Sequence, residues 1–230
     1  MEKRTLFNQY TELFLTIIFI GAVALMMPVS AENVSTAEVK ESLQITGKMY
    51  SNMFVRKREE QKQVVKRLAS TDEYSKKYDL LQLALTEIMR IIVEEGIKLR
   101  ENNINNGSDF PKDTKLIEAF ARFVENTCFF AELVLRLPDM SYRILKGING
   151  WRYLVIDALN YSRSFETILD PKSQELLGLL EQELDESKRT ESYVNPYRED
   201  KQHSAQRLKK KKPKAKKGPQ LTGYISKTEL

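Results

Sequence analysis

The chain has one cysteine and one histidine. Cys128 alone cannot close an intramolecular disulfide, so the fold has to stand on packing. It falls on an apolar stripe and is expected as a small buried hydrophobe. His203 lies at the start of a lysine-rich tail, where nothing would fix its geometry. A catalytic triad, a Cys–His pair or a zinc site would each need histidine or several cysteines on a scaffold. The nine glycines are scattered and form neither a phosphate loop nor a dinucleotide fingerprint. No stretch alternates with the period of a strand, and no segment repeats. Adjacent carboxylates such as Glu94-Glu95 and Asp185-Glu186 are expected on solvated surface. The expectation is a protein without catalytic residues, metal or cofactor, hence no enzyme.

Long apolar runs are also scarce. The one present, residues 13–27, is 15 residues long and follows basic Lys3 and Arg4. It is shorter than the roughly 20 residues needed to span a bilayer. Pro28-Val29-Ser30-Ala31 then offers a small-residue cleavage site, so residues 1–31 read as a secretory signal peptide. No membrane span is expected after cleavage behind Ala31. In that compartment the sequons at Asn33, Asn106 and Asn160 become glycosylation candidates. Asn106 is the best placed, Asn160 sits on the polar edge of a helix, and Asn33 is close to the cleavage point. Asn126-Thr127-Cys128 fits the rarer variant but falls inside a helix. The chain ends Lys227-Thr228-Glu229-Leu230, close to the address read by the lumenal retrieval receptor.

Charge is unevenly spread. Residues 201–230 carry ten Lys and Arg against one acid, while residues 32–200 carry 25 basic and 29 acidic residues. The high pI belongs to the tail, which is expected to be disordered. Its core, residues 209–217, lacks aromatics for base stacking, so no specific nucleic-acid partner is implied.

Between leader and tail the periodicity is helical. Ser35 and Glu38 have capping-box spacing, opening a helix predicted to Leu68, with a break near Gly47 and an apolar side of Val39, Leu43, Met49, Met53, Val64 and Leu68. Within it, residues 56–62 (RKREEQK) read as a solvated face. After Ser70-Thr71-Asp72, read as a break and N-cap, Tyr74, Tyr78, Leu81, Leu85, Ile88 and Ile92 keep four-three spacing along one seam. Residues 110–138 form the predicted central helix. One stripe runs Leu116, Phe120, Phe123, Thr127, Phe130, Val134, Leu137; a second runs Ile117, Ala121, Val124, Cys128, Ala131, Leu135. Its remaining face carries Glu118, Arg122, Glu125, Glu132 and Arg136, with Glu118–Arg122 and Glu132–Arg136 spaced for ion pairs. Phe129 falls among them, a candidate surface anchor for a partner. Residues 139–146 suggest a short helix, Trp151 to Leu159 another, and Asp170-Pro171 the start of a last one. The fold class is all-α, a compact bundle of five or six helices over residues 32–186, with a linker at 187–200 and the tail at 201–230.

Several stretches taken in order resemble one family: Met49 to Glu60 (MYSNMFVRKREE), the Phe110-Pro111 segment, Val124-Glu-Asn-Thr127 with Phe129-Phe130, Asn149-Gly-Trp151, Glu181-Gln-Glu-Leu184 and Asn195-Pro-Tyr197. Together they are similar to the coiled-coil domain containing protein 134 family. That resemblance implies a glycoprotein of the endoplasmic reticulum (ER) lumen that binds the chaperone endoplasmin and limits its excess N-glycosylation. Partners would then include translocon or oligosaccharyltransferase components. It also supports Asn160 as a glycan site. The same family suggests two alternatives: a secreted cytokine-like factor restraining mitogen-activated kinase signalling, and a nuclear regulator using the basic tail.

Overall fold

The structure, a computed structural model, describes residues 45–198. The leader, Asn33, the capping box at Ser35, the basic tail and the Lys227–Leu230 terminus all lie outside the described residues. Among the described residues six α-helices follow one another: α1 (Gly47–Ala69), α2 (Tyr74–Glu101), α3 (Thr114–Arg136), α4 (Pro138–Leu145), α5 (Trp151–Arg163) and α6 (Pro171–Leu184). A 3₁₀ turn, Glu186–Lys188, closes the series, and the described residues contain no strand. The predicted all-α class is borne out.

α3 is the axis. Asp113 caps it, its carboxylate accepting from the backbone N–H of Lys115 and Leu116 at 2.9 and 3.1 Å. Pro138 ends it, and serves at the same time as the first residue of α4, with Leu137 standing between the two helices. All five other helices pack against α3, and every residue from Ala119 to Leu135 except Arg122 is buried. Two apolar stripes predict contact from two sides; the helix is enclosed on every side.

α2 lies along α3 through Leu81, Leu85, Ile88 and Ile92 of the predicted seam, all buried. Tyr74, first in that seam, is exposed and stacks on Tyr78 instead. The expected cap at Ser70-Thr71-Asp72 is corrected. The Ser70 and Thr71 hydroxyls donate back to the Arg67 carbonyl at the end of α1, and Glu73 holds the N-cap position without a side-chain cap. Near the far end Gly96 lets α2 approach closely, since a Cβ there would meet Phe123 Cε2 at 2.9 Å.

α1 buries Val64 and Leu68 as predicted, but its first half presents a different face. Met49 and Met53 are 51% and 38% exposed, whereas Tyr50, Phe54, Arg58, Gln61, Val65 and Leu68 are buried. Tyr50 belongs to an aromatic cluster, packing edge-on to Phe120, which in turn meets Phe165 at 4.7 Å. The aromatic rings outcompete the methionines for the core, and they draw two polar residues inward on the same face.

Residues 187–198, expected as a linker, are laid against the bundle. Asn195 donates to the Leu135 carbonyl at 2.8 Å, Arg136 stacks over the Tyr197 ring at 4.8 Å, and Arg198 pairs with Asp139. These contacts run from side chains to backbone or to charge, so they leave no apolar periodicity in the sequence.

Candidate functional site

Part of the charged chemistry of α1 and α3 is turned inward. Arg58, 3% exposed, donates to Glu132 at 2.8 Å, and Glu132, 1% exposed, also receives Arg136 at 2.9 Å. Gln61 completes the group, accepting from Arg58 at 2.5 Å and donating to the Glu125 carbonyl at 3.1 Å. Residues 56–62 are therefore not wholly the solvated face expected of them. One turn away burial pushes the Glu125 carboxyl up to about 7, opposed by the charge of Lys57. The Tyr50 hydroxyl faces it without completing a hydrogen bond. Glu95, expected on the surface, is buried and held by Arg122 at 3.0 Å and Lys98 at 2.9 Å. Arg122 thus reaches across to α2, while the predicted Glu132–Arg136 pair forms.

Phe129, the candidate surface anchor, is 1% exposed. The face it shares with Glu125 and Glu132 is packed against neighbouring helices, so it is core and not an available contact. Cys128 is fully buried and free, and burial pushes its thiol up to about 12, which keeps it protonated and unreactive. Among the described residues, no group of His, Cys, Asp and Glu could hold a metal ion, and no helix is long and apolar enough to cross a membrane.

Two predicted glycosylation sites lie at one corner. Asn106 is exposed in the α2–α3 loop beside Gly107, whose positive φ of 75° makes the turn. The Gly107 N–H donates to the Ser164 hydroxyl at 3.0 Å. Asn160 is exposed on the last turns of α5, and its carbonyl accepts from Ser164 N–H at 3.2 Å. Asn126 is buried and donates to the Arg122 carbonyl, so that sequon is enclosed.

One feature was not legible in the sequence. A cleft of about 890 Å³ opens among α4, α5 and the end of α6, lined in part by Tyr142, Arg143, Trp151, Arg152, Glu183 and Asp185. Arg152 lies over the Trp151 ring and donates to the Leu184 carbonyl, while Arg143 donates to the Tyr74 hydroxyl at 3.3 Å. Its lining is gathered from separate stretches between Val134 and Arg198, none of which forms a motif.

Comparison with known proteins agrees with the motif resemblance. Coiled-coil domain-containing protein 134 of Mus musculus is 27% identical over 165 residues, 72% of each chain. Its Xenopus tropicalis counterpart is 25% identical over 152 residues, 66% of each. No solved structure matches the chain. The model of a family described as "ERK and JNK pathways, inhibitor" matches residues 35–222, which span every described helix. The chain belongs to that family of ERK and JNK pathway inhibitors.

Proposed function

We propose that this chain is a non-enzymatic helical binding protein that restrains ERK and JNK signalling from within the secretory pathway. The observation that carries the restraint is the family match over residues 35–222. The compartment is supported by the basic and apolar leader, the exposed sequons at Asn106 and Asn160, and the Lys227-Thr228-Glu229-Leu230 terminus. These two parts constrain each other. A lumenal protein never meets cytosolic kinases, so its restraint has to act on what the secretory pathway delivers, such as receptors or their ligands. A lumenal chaperone is a partner of the right kind, and the motif resemblance implies endoplasmin, bound during its biogenesis at the translocon and guarded from excess N-glycosylation.

Purified glycosylated chain titrated with purified endoplasmin, together with the glycan occupancy of endoplasmin in cells lacking the chain, tests this assignment. Saturable binding and added glycans on endoplasmin are expected. Absence of both would remove endoplasmin as the partner. The second reading, a secreted cytokine-like factor, is favoured by the same family description and separated by where the protein accumulates.

A further inference from the structure

The two exposed sequons differ in what surrounds their asparagines. Asn106-Gly107-Ser108 lies in a loop, with Asn106 and Gly107 exposed and Ser108 half-buried. Asn160-Tyr161-Ser162 lies inside α5, with Tyr161 3% exposed and Ser162 completely buried. On a helix, residues i and i+2 point to nearly opposite sides. A transferase that reads the serine hydroxyl beside the acceptor amide therefore cannot see both groups while α5 is formed. Tyr161 locks this arrangement. Its ring meets Phe123 at 4.9 Å and Phe165 at 5.2 Å, and its hydroxyl donates to the Ile104 carbonyl at 3.0 Å.

The Ser162 hydroxyl itself is buried without a hydrogen-bond partner. A buried orphan hydroxyl is a cost to the fold, not a benefit. The folded bundle has no use for it, and recognition of the unfolded chain does.

From these contacts we infer that Asn160 accepts its glycan only before α5 folds, whereas Asn106 remains an acceptor in the finished bundle. The inference rests on the secretory reading. In the transfer, the Asn160 amide nitrogen forms a bond to the first sugar carbon of a lipid diphosphate-linked oligosaccharide. The bond from that carbon to the phosphate oxygen breaks, the lipid diphosphate leaves, and the amide loses one proton to solvent. Once attached, the glycan projects freely because Asn160 itself is exposed. Occupancy at Asn160 thus records whether transfer outran folding, and occupancy at Asn106 does not.

The test offers three acceptors to purified oligosaccharyltransferase with lipid-linked oligosaccharide, with site occupancy read by peptide mapping. They are the folded unglycosylated chain, its Tyr161→Ala variant, and a synthetic peptide of residues 156–166. The peptide should be glycosylated. The folded chain should be modified at Asn106 but at least about tenfold more slowly at Asn160, since the rate scales with the fraction of chains whose α5 end is open. Tyr161→Ala, which keeps the sequon and loosens its anchor, should recover Asn160. As a control, Ser162→Ala should leave the melting temperature unchanged or raised while abolishing transfer to Asn160. Equal rates at Asn106 and Asn160 in the folded chain would overturn the inference and leave the secretory reading standing. Refusal of the peptide would overturn it by removing Asn160 as an acceptor. A cell-made chain that begins at Met1 and carries no glycan would refute the secretory premise itself.

Discussion

Removing Arg58 should be one of the most damaging single changes in α1. Arg58→Ala takes from Glu132, itself 1% exposed, a hydrogen-bonded partner at 2.8 Å, and from Gln61 its donor at 2.5 Å. Breaking a buried pair from one side costs about 3–5 kcal/mol, because the remaining charge keeps its desolvation penalty. Arg136 still reaches Glu132 at 2.9 Å and is 23% exposed, so the loss should fall at the lower end, about 3 kcal/mol. For a domain of this size that is a fall in melting temperature of roughly 6–12 °C. Replacing both partners, Arg58→Met with Glu132→Leu, removes the stranded charge and should come within about 1–2 kcal/mol of the parent. Urea melts followed by helical circular dichroism would measure both, and the cycle would isolate the coupling. A cost below about 1 kcal/mol for Arg58→Ala would mean that the side chain lies in water, as an exposed ion pair would. The inward face of α1 would then be wrongly assigned.

Other outcomes follow from the same contacts. The Glu125 carboxyl, at about 7 when folded against a reference of 4.5, binds more protons folded than unfolded across that interval. Stability should therefore decline as pH rises from 4.5 to 7, by up to about 3 kcal/mol in total from this group, and Glu125→Gln should flatten the decline in melts at several pH values. Phe123→Ala, Phe129→Ala and Phe130→Ala should each cost about 3–5 kcal/mol in urea melts; a Phe129 variant as stable as the parent would contradict its burial. Gly96→Ala forces a Cβ against the Phe123 ring and should cost about 1–3 kcal/mol. Residues added after Leu230 should move the protein into the medium, by immunoblot of cells and medium, without changing its melting temperature.

Helix positions were readable because they follow from local chemistry: Asp113 before α3, Asp170-Pro171 before α6, and the period of Leu81, Leu85, Ile88 and Ile92. Faces were less readable. Glu125 and Glu132 flank Phe129 and mark its side of the helix as polar, yet those carboxylates are buried with it. Arg58 and Gln61 meet α3 only in the folded bundle, 74 and 64 residues away along the chain. Burial of charge depends on such a distant partner, and no periodicity within a helix encodes one. The sequons were legible as motifs, but not the difference between them, which depends on Tyr161 and Ser162 packing beneath α5.

If restraint of kinase signalling is exerted from inside the secretory pathway, the leader should be needed for it. Cells lacking the chain would be supplied with either the full sequence or a form lacking residues 1–31, confined to the cytosol, at matched levels. ERK and JNK phosphorylation would then be measured after a common stimulus. The full sequence should lower phosphorylation and the cytosolic form should not. Equal restraint by the leaderless form would contradict this, and would place the inhibitor on the same side of the membrane as the kinases.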